Sequence, residues 1–167
     1  MPYKKYTLSF KLQDTKLTRK VTFTSGLDFS DLHVLLQIVF GWEDYHLHEF
    51  TVGKLTIRQR TDEETDEEDD FFDFLPAKCK YEDEVGLDMI LANYSEFLYH
   101  YDFGADWTVK IKVENVIETE KPENPKVISL CGGMAKEDCG PEDLTGDYSP
   151  AYKAEINLIL EETFDIA

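Results

Sequence analysis

One stretch of this chain carries a strong helical repeat, and alternating stretches bracket it. Leu32, Leu35, Leu36, Val39 and Phe40 recur at three- and four-residue spacing, which lines one side of an α-helix. Asp28 stands where an N-cap belongs, Asp31 follows at the capping-box position, and Gly41 occupies the C′ site. A helix over 28–40 is therefore expected. Ahead of it, Tyr6, Leu8, Phe10 and Leu12 alternate with Lys5, Thr7, Ser9 and Lys11, the period of a half-buried strand. Gln13-Asp14-Thr15-Lys16 turns the chain, and Leu17, Val21 and Phe23 share a face with Arg19 in a second strand. The two strands read as a hairpin.

Alternation resumes after the helix. His46, His48, Phe50 and Val52 fall on one face, with Leu47, Glu49 and Thr51 on the other. Gly53-Lys54 suits a two-residue type II′ turn, and Leu55-Thr56-Ile57-Arg58 returns as the partner strand. Leu87, Ile90 and Leu91 suggest a short helix. Residues 97–103 and 107–113 read as two late strands around a bend at Gly104, where the glycine would supply an unusual backbone angle and Asp102 or Asp106 would bond exposed N–H groups. Pro122 and Pro125 mark a loop, residues 131–149 read as irregular, and Tyr152, Ile156, Ile159 and Leu160 could share a final helix. This order predicts an α+β fold: one mixed, mostly antiparallel sheet, a main helix across one face, a β-grasp-like arrangement and an irregular C-terminal region. The 167 residues suit a single domain, 1–167, with its own core.

The formal charge is −18. Eight carboxylates crowd into the nine residues 62–70, and without them the chain still carries −10. Residues 61–70 are expected to form a mobile, solvated loop, because like charges at that density repel and cannot enter a core. An acidic surface repels phosphate backbones, so direct nucleic-acid binding is disfavoured and a protein partner with a basic surface fits better. No run approaches the roughly 18 apolar residues of a membrane span, and 1–6 shows no secretory pattern. Cys79, Cys131 and Cys139 form no CxxC pair, which argues against a disulfide framework or structural zinc and for a reducing cytoplasm.

The densest chemistry lies in Tyr99-His100-Tyr101-Asp102-Phe103-Gly104-Ala105-Asp106-Trp107 and in Gly41-Trp42-Glu43-Asp44-Tyr45-His46-Leu47-His48-Glu49-Phe50. These runs, with Leu32-His33, Asp83-Glu84 and Leu87, and Glu137-Asp138-Cys139-Gly140, resemble the plasmid pRiA4b ORF-3-like family from about Tyr6 to Tyr148. The resemblance implies a plasmid- or transposon-associated protein and bears on fold more than on reaction. The chain departs from the family pattern at Ala105, where an acid is usual, and at Val109, where a His is common. Ala135 and Lys136 replace two prolines, and Thr18 replaces a Trp. An acid- and His-based family site would lack two groups here.

Trp42, His46, His48, Tyr101, Asp102, Asp106, Trp107, Glu137 and Asp138 are the candidate cleft residues. An i, i+2 His pair on a strand points one way and could hold a metal with nearby carboxylates. The plainer reading has the histidines half-buried and bonded to core acids such as Asp102. Trp42 and Trp107 could rim a cleft or pack against the helix. Asp102-Phe103-Gly104 matches the kinase magnesium triplet in letters alone, since the glycine loop, strand lysine and catalytic loop have no counterpart. Gly132-Gly133 lacks the context of a phosphate loop, and Cys139 beside two acids is poorly placed for a thiolate. The expectation is a non-enzymatic cytoplasmic binding module with no cofactor and no stoichiometric metal. The alternative is a metal-dependent hydrolase or nuclease-like enzyme using His46, His48, Asp102, Asp106 and Glu137.

Overall fold

The computed structural model describes residues 2–59, 78–132 and 152–166. The acidic loop 61–70, residues 71–76 and the Glu137-Asp138-Cys139-Gly140 segment lie outside the described residues. One eight-stranded sheet organises the rest. Its strands are β1 (Tyr3–Leu12), β2 (Thr18–Thr24), β3 (His48–Val52), β4 (Leu55–Arg58), β5 (Lys78–Tyr81), β6 (Glu96–Tyr101), β7 (Trp107–Thr119) and β8 (Lys126–Cys131). They lie in the order β5-β4-β3-β6-β7-β1-β2-β8. Every pairing is antiparallel except β4 with β5, so the sheet is mixed and mostly antiparallel, as the sequence pattern predicts.

The β1–β2 hairpin buries Tyr6, Leu8, Phe10 and Leu12 on one strand and Arg19, Val21 and Phe23 on the other, the faces that the alternation assigns. Gly53 takes φ +58 between β3 and β4 while Lys54 stays outside the positive-φ region, as a type II′ turn requires. The late strands run past or fall short of their expected limits: β6 stops at Tyr101 and β7 continues to Thr119. Two strands have no counterpart in the sequence reading. β5 pairs parallel along the edge of β4, and β8 carries only Val127 into the core. Neither segment offers the apolar alternation that marks a half-buried strand.

Helix α1 (Phe29–Phe40) crosses one face. The Asp28 carboxylate accepts from the Asp31 N–H at 2.9 Å, and Asp31 Oδ2 accepts from the Asp28 N–H at 3.0 Å. Gly41 closes the helix in the left-handed region at φ +74. Asp28→Ala should cost about 1 kcal/mol in chemical denaturation, the usual size of a lost cap; no change would mean that packing alone sets this terminus. The buried face of α1 seats Phe29 against Phe50 of β3 and Phe97 of β6, with ring centroids at 4.9 and 5.7 Å. β3 and β6 are direct neighbours under this helix, with Phe50 opposite Tyr99 and His48 opposite Tyr101.

Two further helices follow. α2 (Leu87–Asn93) buries Leu87, Ile90 and Leu91. α3 (Tyr152–Phe164) buries Ile156 and Leu160 but exposes Ile159, so its buried stripe is narrower than expected. Asn157 of α3 bonds both main-chain groups of Val127, at 2.8 and 3.1 Å, which occupies part of the outer edge of β8. Among the described residues, no helix is long and apolar enough to cross a membrane.

Candidate functional site

The apolar face of α1 is interrupted by two polar residues one turn apart, His33 and Gln37, each 5% exposed. A buried polar side chain must find partners, and these find them across the sheet and in the loop after the helix. The Asp44 N–H donates to Gln37 Oε1 at 2.8 Å. A backbone N–H can only donate, so the amide orientation of Gln37 is fixed and its Nε2 donates to the Tyr99 hydroxyl, 2.9 Å away. That hydroxyl then donates to His33 Nδ1 at 2.8 Å. His33 in turn carries its proton on Nε2, which lies 2.9 Å from Asp44 Oδ1. The four bonds form a closed ring that begins and ends at Asp44 and sets one tautomer of His33.

Burial first, and His48 second, lower the pKa of His33 to about 4, against the opposing pull of Asp44 and Glu82. The imidazole is therefore neutral near pH 7. Burial also raises the pKa of Tyr99 well above its ordinary value, with the Gln37 bond acting the other way, so the relay hydroxyl keeps its proton.

His48, the first residue of β3, stacks on His33 with ring centroids 3.4 Å apart and planes 6° from parallel. Its Nε2 lies 2.6 Å from Glu82 Oε2, in the 3-10 turn Glu82–Glu84 that follows β5. Its Nδ1 is buried without a hydrogen-bond partner. Each of the two stacked imidazoles thus holds one carboxylate, Asp44 on His33 and Glu82 on His48. The imidazoles floor a cleft of about 340 Å³ lined by His33, Asp44, Tyr45, His46, His48 and Glu82 among others, a volume within the range of ligand pockets. Tyr45, Leu47 and Phe103 are exposed nearby; Leu47 and Phe103 also line a smaller adjoining pocket of about 170 Å³.

The expected cleft residues divide. His48 is on the floor, but His46 does not share its strand face: it lies before β3 and approaches Asp102 at 3.4 Å. The half-buried His bonded to Asp102 is thus His46, while His48 uses Glu82. Asp102 and Asp106, not Gly104, hold the left-handed angles at the bend, with φ +59 and +60. Asp102 also accepts from the Ala105 N–H at 3.3 Å, the kind of bond expected of an acid in a turn. Trp42 and Trp107 do not rim the cleft. They are buried with Tyr101 and Phe40, Trp42 lying 4.9, 5.0 and 5.6 Å from Phe40, Tyr101 and Trp107. Tyr101 contributes indirectly, its hydroxyl accepting from the Tyr45 N–H at 2.9 Å. Glu137 and Asp138 lie outside the described residues. Sequence reasoning missed His33, Gln37, Asp44, Glu82 and Tyr99. The available signal was the polar i, i+4 pair His33 and Gln37 on an otherwise apolar helix face.

One donor of each of His33, Asp44 and His48 lies within 4.8 Å of the others, close enough to test for a metal. The hydrogen-bond ring keeps a proton on His33 Nε2. As bonded here the donor set serves hydrogen bonds to carboxylates, and an ion at His33 Nε2 would have to displace that proton and its bond to Asp44.

A family model described as plasmid pRiA4b ORF-3-like protein matches residues 4–162. The uncharacterized protein y4hQ of Sinorhizobium fredii (strain NBRC 101917 / NGR234) is 27% identical over 132 residues. That alignment covers 78% of this chain and 60% of y4hQ, so the chain spans less than two thirds of that relative's length. A crystal structure of a protein of unknown function, MM3350 from Methanosarcina mazei Go1, has the same fold at TM-score 0.67 and 25% identity, covering 98% of this chain and 84% of that one.

Proposed function

The chain belongs to the plasmid pRiA4b ORF-3-like protein family, and on that premise we propose that it works as a non-enzymatic, cytoplasmic interaction module of mobile-element type. Its binding element is the cleft over His33 and His48. The carrying observation is the two carboxylates held in that cleft by the imidazoles, with exposed Tyr45, Leu47 and Phe103 close by. An acidic cleft among apolar side chains suits a basic side chain whose stem packs as its head pairs. The formal charge of −18 favours the same partner, a protein segment with a basic surface, and disfavours nucleic acid.

The metal-dependent hydrolase reading is less well supported. His46 and His48 engage different carboxylates, and both nitrogens of His33 are engaged within the ring. The unpartnered His48 Nδ1 is buried, away from the position a general base needs to reach a substrate proton. The hairpin-then-helix order supports the β-grasp-like description, although β1 meets β7 antiparallel, where that fold has a parallel central pair.

A panel of fluorescent nonapeptides, basic and acidic, tests the proposal. Basic peptides should bind, lose about tenfold in affinity between about 0.05 and 0.5 M salt, and lose a similar factor with Asp44→Asn. Equal binding of acidic peptides, or indifference to Asp44→Asn, would defeat it.

A further inference from the structure

The cleft carries two carboxylates, Glu82 at its floor and Asp44 at its mouth, and no fixed positive charge pairs with them among the described residues. His33 is tied by its tautomer to donate a proton to Asp44 without carrying a charge, and the described residues give Asp44 and Glu82 no cationic side chain besides the imidazoles. Each carboxylate uses one oxygen on an imidazole, Oδ1 of Asp44 and Oε2 of Glu82. Their second oxygens accept no hydrogen bond from the described residues. Asp44 has a side chain 58% exposed at the mouth, while that of Glu82 is 13% exposed at the floor. Each carboxylate sits on one ring of the stack, and both line the same cleft. Arg58 lies beside the adjoining small pocket, opposite Glu49 in the β3–β4 register and 6.0 Å from the Tyr81 ring.

We propose that this cleft receives a guanidinium group, the head of a partner's arginine side chain, with Asp44 and Glu82 as paired acceptors and the exposed ring of Tyr45 as the surface on which it lies. The inference rests on the interaction reading above and narrows it to one chemistry. A guanidinium is planar and presents five donors in a fixed fork, so it can serve carboxylates on two of its edges at once. It is weakly hydrated and stacks on aromatic rings, where an ammonium is a compact, strongly hydrated charge that loses more on entering a cleft. The ring of four hydrogen bonds is what makes the site ready: it fixes Asp44, at φ +57, before any ligand arrives, so little ordering remains at the moment of binding.

Calorimetry and amide-shift mapping on the full chain near pH 7.5 test this with Nα-acetyl-L-argininamide, Nα-acetyl-L-lysinamide, free L-arginine and zinc chloride as separate probes. The blocked argininamide should bind with a Kd on the order of 1 mM and about tenfold tighter than the lysinamide, shifting the amides of Asp44, Tyr45 and Glu82. Asp44→Asn should weaken it about tenfold, and Tyr45→Ala several-fold, each with an unchanged melting temperature as the check on folding. Tyr45→Phe should restore affinity. Free arginine binding as well as the blocked form would keep the guanidinium site and make a small molecule its source. Preference for the blocked form would make the source a peptide side chain. Equal affinity for argininamide and lysinamide would overturn the guanidinium assignment and leave the basic-partner reading standing. Binding of neither would overturn both. One zinc per chain, lost on His33→Ala, would overturn both in favour of a metal centre.

Discussion

Arg19→Met should lower stability by about 2–3 kcal/mol, although it puts an apolar side chain of similar length on a wholly apolar strand face. Arg19 is 1% exposed, between Leu17 and Val21 on the buried side of the β1–β2 hairpin. Its guanidinium donates from Nε to the Val39 carbonyl at 3.0 Å and from Nη1 to the carbonyls of Thr18 and Cys131 at 3.0 and 3.3 Å. It also stands 5.5 Å from the centre of the Phe40 ring. One side chain thus joins the last turn of α1 to β2 and to the end of β8. The Val39 carbonyl is among the last of the helix, where the macrodipole favours a cation.

Two effects oppose each other on substitution. Removing the charge relieves its desolvation cost, which has made some buried ion pairs dispensable. Removing the donors leaves three carbonyls short of partners, two of them at element ends, at about 1 kcal/mol or more apiece. The second should win, because the carbonyls are main-chain atoms that cannot move to water without unravelling the elements that carry them. Thermal melts should fall by about 5–10 °C, using about 2–4 °C per kcal/mol for a chain of this size. Arg19→Lys should recover only part, since one ammonium cannot span all three acceptors. A neutral or stabilising Arg19→Met would mean that desolvation dominates here.

Arg19 also marks where the sequence stops being legible. Its place on the buried face follows from the alternation of Leu17, Val21 and Phe23, but its partners are distant in the chain and leave no trace in local pattern. The same division holds for the cleft. Helix α1, the hairpin and the β3–β4 turn are written in local periodicity and capping, so their faces could be read directly. Pairing of β5 and β8 depends on which edges remain for them, which no local pattern carries. His33 reads as an interruption of an apolar stripe, yet its partners Tyr99 and Asp44 lie 66 and 11 residues away, and Glu82 lies 34 residues from His48. His46 and His48 look like a pair only while both are taken to lie in one regular strand. With β3 beginning at His48, the period of two does not extend back to His46, and the two rings take different carboxylates.

The protein, held free of metal by a chelator, should lose stability as pH falls from about 6.5 to about 4, and His33 should account for a large share of that loss. The pKa of His33 is lowered from 6.5 to about 4, chiefly by burial and secondly by His48. In that window the unfolded chain takes up a proton at this position while the folded protein excludes it, so acid favours unfolding. The contribution is fully present above 6.5, shrinks as pH falls, and is gone below about 4, for a total of about 3 kcal/mol. Structure gives the exclusion its cause. A proton on His33 Nδ1 would face the Tyr99 hydroxyl, which already accepts from Gln37 and would lose the acceptor for its own hydrogen at a residue 0% exposed. Protonation therefore breaks the ring that holds Asp44 and, through it, the mouth of the cleft. Urea denaturation at half-unit pH steps reads the effect as a slope of up to about 1.4 kcal/mol per pH unit. His33→Gln should be less stable at pH 7 and should flatten that slope between pH 6.5 and 5, before most carboxylates titrate. Wild type and variant sharing one slope across that range would show that His33 takes up its proton equally in both states, and the ring would then carry no pH-dependent stability.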